Sequence, residues 1–236
     1  MIPATTAPVS KSAADGREAK LPAARLILRL RYALFCFMTS LLRLSSRIEV
    51  EGTENVPPLG PLMLVCNHIN PLESTLWSLF GRADVWIVAD ARLRNNLLRR
   101  WLYGAFCNLI YVDRGEGIDG LVARAVPILA AGGVVMLSPE GKYSWNGVLG
   151  AGKSGAAALA TRTGALVVPF VAWGLERLAC DLRRRQRGQV TVRVGTPFRF
   201  ANDAADECTI TQRTNEIMMA LAQMLPEQYR GDWRAG

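Results

Sequence analysis

The stretch Leu62-Met63-Leu64-Val65-Cys66-Asn67-His68-Ile69-Asn70-Pro71-Leu72-Glu73 decides how the rest of the chain is read. Leu62 to Asn67 is a short, nearly unbroken apolar run of the length of a buried strand. Asn70-Pro71 reads as a helix N-cap followed by proline at the first helical position. His68 therefore falls where a strand ends and a helix begins, the edge on which open α/β sheets place their ligands. Imidazole has an unperturbed pKa near neutrality, so it can take and return a proton there. His68 is also the only histidine among 236 residues, which rules out a multi-histidine metal site. Glu73 lies one turn into the helix, and two readings of it stay open. It could fix the tautomer of His68 and stabilise the imidazolium, or it could close a variant capping box on the Asn70 amide.

Outward from this stretch, strands alternate with helices. Expected strands are 47–51, 62–67, 85–89, 109–112, 134–137, 166–170 and 190–194, and expected helices are 71–80, 97–107, 118–131, 153–162 and 206–225. The alternation predicts an α/β fold: a mixed, mainly parallel sheet of about seven strands flanked by helices. Three of the strands run into polar or glycine-containing turns, Asn67-His68, Asp113-Arg114-Gly115 and Ser138-Pro139-Glu140-Gly141, which could converge on one edge.

The formal charge of +8 and pI near 9.7 suit anionic partners. Five scattered cysteines without a C-x-x-C pair fit free thiols rather than a disulfide framework or a zinc knuckle. Cys66 shares a strand with the approach to His68, so a Cys/His nucleophile is conceivable, although a buried cysteine in such a strand is usually inert packing. No helix-turn-helix, zinc or aromatic single-strand platform accompanies the charge, so no nucleic-acid partner is expected. The cluster Arg92, Arg94, Arg99 and Arg100 beside Trp101 and Tyr103 reads as an interfacial surface, and Arg183-Arg184-Arg185 with Arg187 as a solvated loop.

Residues 1–20 have the composition of a disordered tail. Residues 21–45 form an apolar helical pattern broken by Arg25, Arg29, Arg31 and Arg43, and the uncharged part, Tyr32 to Leu42, is far short of the ~20 residues a span needs. An amphipathic, basic helix of this kind suits an anionic membrane interface; packing against its own domain is the alternative. Residues 46–236 would then be the catalytic domain.

Gly147-Val148-Leu149-Gly150-Ala151-Gly152-Lys153-Ser154 matches the phosphate-loop pattern letter for letter. That pattern works when a strand feeds its first glycine, and here Lys142-Tyr143-Ser144-Trp145-Asn146 precedes it. A nucleotide hydrolase is the lesser reading.

The order of blocks is more specific than any one of them: Glu51-Gly52 with Asn55-Val56-Pro57, then His68-x4-Glu73, Tyr111-Val112-Asp113-Arg114, Ser138-Pro139-Glu140-Gly141 and Val168-Pro169. Together they resemble the glycerolipid acyltransferases over about 48–198, and Lys153-Ser154-Gly155-Ala156-Ala157 resembles the lysine-glycine-alanine helix start after the family's P-E-G block. The resemblance implies transfer of a fatty acyl group from a thioester, acyl carrier protein or acyl-CoA (coenzyme A), to a lysophospholipid such as lysophosphatidic acid in phospholipid biosynthesis. No metal and no cofactor are implied. His68 and Glu73 would be catalytic, with amides near Leu72 to Ser74 helping at the oxyanion. Arg114 would bind the acceptor phosphate, and Glu140, Gly141 and Lys142 would shape the same pocket. The enzyme would sit peripherally on the cytoplasmic face of the cell membrane. Two departures stand out. Glu73 replaces the usual aspartate, as it does in related late acyltransferases of lipid A. Tyr143 replaces the usual arginine after P-E-G, with Lys142 one position earlier, which leaves a polar lipid acceptor without phosphate as the alternative.

Overall fold

Seven apolar runs become the strands of one sheet: β1 (Ser46–Glu51), β2 (Leu62–Cys66), β3 (Val85–Asp90), β4 (Asn108–Val112), β5 (Val134–Leu137), β6 (Leu166–Trp173) and β7 (Gly188–Val194). Their order is β1-β7-β6-β2-β5-β3-β4, and every neighbouring pair is parallel except β6 and β7. The computed structural model describes residues 20–70, 72–82, 84–95, 108–113, 115–144 and 146–233. Residues 1–19 of the tail expected at 1–20 and all of the helix expected at 97–107 lie outside the described residues, while Lys20 begins a helix.

β2 sits in the middle of the sheet and is buried at every position, as a continuous apolar run requires when both faces are covered. Its side chains alternate between two cores. Leu62, Leu64 and Cys66 join Trp77, Phe80 and Phe170 on one face. Met63 and Val65 join Leu121, Leu159 and Ile217 on the other. The second face is covered by α3 (Gly117–Ala130), α4 (Gly155–Thr163) and α6 (Glu207–Met224). Asp206 caps α6, its Oδ1 accepting from the Thr209 amide at 2.8 Å.

The first face is covered by α1 (Lys20–Ser45) and by the segment after His68. That segment is shorter as a helix than expected. α2 covers only Glu73–Leu76, and Trp77–Phe80 tightens into a 3₁₀ turn. α1 docks on it through Tyr32, whose hydroxyl donates to the Ser78 carbonyl at 3.2 Å, and through Thr39, whose hydroxyl reaches the Thr75 carbonyl at 3.0 Å. Leu42 is buried between them. Leu26, Leu30, Phe37, Leu41 and Leu44 remain exposed. At 3.6 residues per turn those five fall within about 60° of arc. α1 therefore packs on its own domain with one face and presents an apolar stripe with another. Among the described residues no helix is long and apolar enough to cross a membrane.

Two further differences from the sequence reading have local causes. β6 continues three residues past Phe170 because Val171, Ala172 and Trp173 pair with β7. A short helix, α5 (Leu178–Arg183), anchored by the buried Leu178, precedes the solvated loop expected at 183–187, so that loop begins one residue later, at Arg184.

Candidate active site

β2 ends at Cys66, and the side chain of Asn67 continues the ladder in place of the backbone. Its Nδ2 donates to the Ala172 carbonyl at 2.8 Å, and its Oδ1 accepts from the Ala172 amide at 2.9 Å. This fixes the direction in which the chain leaves the sheet, and His68 follows. The His68 ring Nδ1 bonds Glu73 Oε1. Glu73 Oε2 accepts from the Ile69 amide at 2.7 Å and from the Asn70 amide at 3.3 Å. Both sequence readings of Glu73 are therefore realised, one through each oxygen. Glu73 is only 2% exposed while the imidazole is 27% exposed, so the carboxylate is enclosed and the ring looks outward.

The expected N-cap is altered. α2 begins at Glu73, and Asn70 acts three residues earlier: its Oδ1 accepts from the Leu72 amide at 3.0 Å, and its carbonyl from the Glu73 amide at 3.0 Å. Those two amides are engaged inside the turn, so the expectation that they would face an oxyanion is not met at Leu72 or Glu73.

The turn after β5 supplies the second half of the site. Glu140 Oε1 accepts from the His68 amide at 2.9 Å, and its Oε2 accepts from the Gly150 amide at 2.8 Å. From the same turn, the Ser144 amide donates to the His68 carbonyl at 2.6 Å. The backbone of His68 is thus held on both sides. Glu140 is 1% exposed. Burial pushes its carboxyl above the usual glutamate range, against the opposing pull of the two amides. The resemblance places Glu140 with the residues that shape the substrate pocket; here both of its oxygens accept from backbone amides, one of them that of His68.

Tyr143 stacks on His68, with ring centroids 3.9 Å apart and planes 27° from parallel. Gly141 takes a left-handed φ of +61°, and a Cβ there would come within 2.9 Å of the Lys153 Nζ. Glycine at this turn lets Lys153 lie over the P-E-G block. The Lys153 amide donates to the Pro139 carbonyl at 2.8 Å. Lys153 and Lys142 both line the same cleft as His68.

That cleft has a volume of about 710 Å³, within the range of small-molecule sites. His68, Tyr143, Lys142 and Lys153 stand at its polar end, and Ile87, Leu109, Leu121 and Met136 are among its apolar walls. It can take a long apolar chain with its reactive head beside the imidazole and an anion beside the lysines. Asp113 also lines it, while Arg114 lies outside the described residues. Cys66 lines the cleft, but burial and the charges of Glu73 and Glu140 hold its thiol well above the usual range, which disfavours a thiolate nucleophile. Of the interfacial cluster, Arg92 pairs with Asp90 at 2.8 Å and Arg94 lies over the Tyr111 ring at 4.4 Å. Arg99, Arg100, Trp101 and Tyr103 lie outside the described residues.

The phosphate-loop match serves packing. Gly147 faces the Tyr229 ring, Gly150 bonds Glu140, and a Cβ on Gly152 would come within 2.5 Å of Met218. Of the residues in the match, Lys153 and Ser154 line the cleft. The sequence reading passed over Lys153 as a site residue although it had marked that position twice, once in the phosphate-loop match and once in the helix start. It also read Tyr143 only as an absent arginine.

A seven-stranded α/β sheet with a histidine held by two carboxylates over an apolar cleft now has relatives to be set beside. The acyltransferase family model matches residues 47–173, more than half of the chain. The chain belongs to the acyltransferase family, and it is an acyltransferase enzyme. It is 27% identical over 194 residues to human 1-acyl-sn-glycerol-3-phosphate acyltransferase alpha, across 78% of this chain and 67% of the human protein. It is 29% identical over 140 residues to a chloroplastic 1-acyl-sn-glycerol-3-phosphate acyltransferase of Arabidopsis thaliana, across 56% of this chain and 37% of that protein. The chain thus spans about two thirds of the human relative's length and much less of the plant one's. The crystal structure of the 1-acyl-sn-glycerophosphate acyltransferase PlsC from Thermotoga maritima shares the fold, with a TM-score of 0.57 at 20% identity over 85% of this chain and 78% of that one.

Proposed function

We propose that this enzyme transfers a fatty acyl group from an acyl thioester, carried by acyl carrier protein or coenzyme A, to the hydroxyl of lysophosphatidic acid or a close lysophospholipid. The work would be done at the cytoplasmic face of the membrane, with the exposed stripe of α1 seated in the lipid interface. The observation that carries this reading is the single imidazole, tied to buried Glu73 at one nitrogen and set at the polar end of an apolar cleft. The names of the relatives supply the acceptor.

With Nδ1 committed to Glu73, Nε2 is the atom that receives the proton of the acceptor hydroxyl as its oxygen attacks the thioester carbonyl. Glu73 stabilises the imidazolium as it forms. Collapse of the tetrahedral intermediate breaks the carbon–sulfur bond, and the departing thiolate takes the proton back from Nε2. Lys142 and Lys153 supply positive charge for the acceptor phosphate, joined by Arg114, which the resemblance assigns to that task and which follows cleft-lining Asp113.

Tyr143 favours one second reading. It stacks on His68 and brings no cation where the family usually has one, so an acceptor without phosphate would lose less here than in an arginine-bearing site.

One assay separates these readings. Purified protein in detergent is given acyl-CoA or acyl carrier protein thioester and a panel of lysophosphatidic acid, other lysophospholipids and monoacylglycerol, with products followed by mass spectrometry. Phosphatidic acid as the main product is the expected result. Acylation of monoacylglycerol alone would move the enzyme out of phospholipid synthesis, and no transfer to any acceptor would overturn the reading. Arg114→Ala is expected to raise the KM for lysophosphatidic acid by roughly tenfold or more, from the ~1.5–3 kcal/mol of a charge-assisted contact, with less effect on the thioester. Equal losses for both substrates would make Arg114 structural.

A further inference from the structure

The end of α5 and the loop that joins it to β7 carry Arg183, Arg184, Arg185 and Arg187, all exposed. It is tied to the end of α1: the Arg187 Nη2 donates to the Arg43 carbonyl at 2.7 Å and to the Ser46 carbonyl at 3.3 Å. Arg43 and Arg47 are exposed beside it, as are Leu44 and Leu182, at 75% and 49%. Six arginines and two leucines thus share one surface. Its acidic neighbours are few. Glu49 lies 3.7 Å from Arg47, Asp181 is half-buried, and Glu176 lies 3.7 Å from Arg177. Among the described residues, none of Arg183, Arg184, Arg185 and Arg187 is within ion-pair distance of a carboxylate.

The topology says where this surface faces. β1 and β7 run against β2, β3 and β5, so their beginnings lie toward the edge where the other strands end. Asn67 bonds Ala172, which pairs with Val192, so the level of His68 is close to that of Val192. Gly188 and its partner Ser46 lie four residues further out along the same direction. At ~3.3 Å per residue that is about 13 Å beyond the catalytic histidine. The basic surface overhangs the edge that holds the site.

We propose that the 183–187 loop, with the end of α1, docks on the anionic headgroups of a lipid bilayer and turns the His68 edge toward it. Two features select a bilayer over an acidic carrier protein. Leu44 and Leu182 stand among the arginines, and Leu44 is the last residue of the exposed α1 stripe, so the two surfaces are continuous. The role in substrate delivery rests on the acyltransfer reading, whereas the docking itself does not require turnover.

The test uses the full chain with Arg183→Gln, Arg184→Gln and Arg185→Gln combined, read by sedimentation with vesicles of phosphatidylcholine alone or mixed equally with phosphatidylglycerol. Partition onto the mixed vesicles should fall on the order of 100-fold at low salt, the product of three arginines near a charged surface. Partition onto phosphatidylcholine and turnover in detergent should stay unchanged. The combination Leu30→Ser and Phe37→Ser should instead weaken both partitions, which separates the stripe from the loop. Lysine at all three positions should restore binding to mixed vesicles, which guards against a misfolded glutamine variant. Undiminished binding of the glutamine variant to mixed vesicles would overturn the proposal. So would equal loss on both vesicles with lysine failing to rescue. A selective loss of turnover with acyl carrier protein as donor, with vesicle binding intact, would assign the surface to that acidic protein instead.

Discussion

Two turns leave neighbouring strands, β2 and β5, and each contributes one buried glutamate to the same histidine. Glu73 holds the ring of His68, and Glu140, seventy-two positions further along than His68, holds its backbone amide. Glu73 lines the cleft beside His68 yet is only 2% exposed, and Glu140, at 1%, is enclosed. The difference is in what they stabilise. In the proposed reaction Glu73 faces a group that becomes positive, and it is assigned there to the transition state. Glu140 faces two neutral amides whose charge never changes, so it acts on geometry alone. The site thus divides chemistry from framework between its two turns.

The largest expected effect breaks the chemical half. His68→Ala should lower kcat by ~10²–10⁴, the usual cost of removing a general base, with the thermal transition nearly unchanged. Near-normal turnover by the folded variant would end the mechanism. Glu140→Gln strikes the framework. One of its oxygens becomes an NH₂ that faces a backbone N–H, leaving donors unmet at a cost of ~1–3 kcal/mol. Displacement of His68 should lower kcat about 100-fold, since misplacements near 1 Å are that costly. Both kcat and the melting temperature should fall. Glu73→Gln should lower kcat about 10-fold or more, because it removes the charge that assists the imidazolium. It should also cost stability, since its NH₂ must face either His68 Nδ1 or the Ile69 and Asn70 amides.

Tyr143 sharpens the same division. Tyr143→Leu removes the ring stacked on His68 and should lower kcat about 3-fold to 10-fold, the worth of an aromatic pair at ~0.5–1.5 kcal/mol. Tyr143→Phe should retain activity. Because the chain has one histidine, the imidazole protons of untagged protein give signals that need no assignment. They should lose their upfield ring-current shift in the leucine variant and keep it in the phenylalanine variant. Unchanged signals in both would remove Tyr143 from the site.

The smallest effect is a pH dependence. The Glu140 carboxyl titrates above the usual glutamate range in the folded chain, so the native state binds its proton at a pH where the unfolded chain has released it. By linkage, its contribution to stability falls as pH rises from the ordinary glutamate value, about 4.3, through its raised native value. The melting temperature of the native protein relative to Glu140→Gln should therefore narrow with rising pH across that window. A widening gap would mean that the amides, not burial, control this carboxyl.

The same two turns mark what the sequence made legible. Glu73 lies five positions from His68 across a strand-to-helix boundary, and spacing alone brought the pair together. Glu140 was visible only as part of an ordered block, because a contact to a distant backbone amide leaves no periodicity. The strands were readable for a physical reason: buried on both faces, they run apolar without interruption. The end of β6 was not, since Val171 to Trp173 are held by an antiparallel partner that no local signal announces. α5 was missed because it is a helix of only six residues that leads straight into an arginine run with the composition of a loop. Lys153 was seen as a letter in two motifs, and only the fold of the Pro139–Gly141 turn beneath it brings it to the cleft.

The claim that two carboxylates serve one histidine is tested most directly by adding each glutamate substitution to His68→Ala and measuring the residual rate with acyl thioester and lysophosphatidic acid. Residues that act through one group are non-additive. The account predicts that Glu73→Gln and Glu140→Gln, each costly in the native background, lower the residual rate of the His68→Ala protein by less than about twofold. Full additivity, with each glutamate costing as much without His68 as with it, would contradict the account and give the two carboxylates roles of their own.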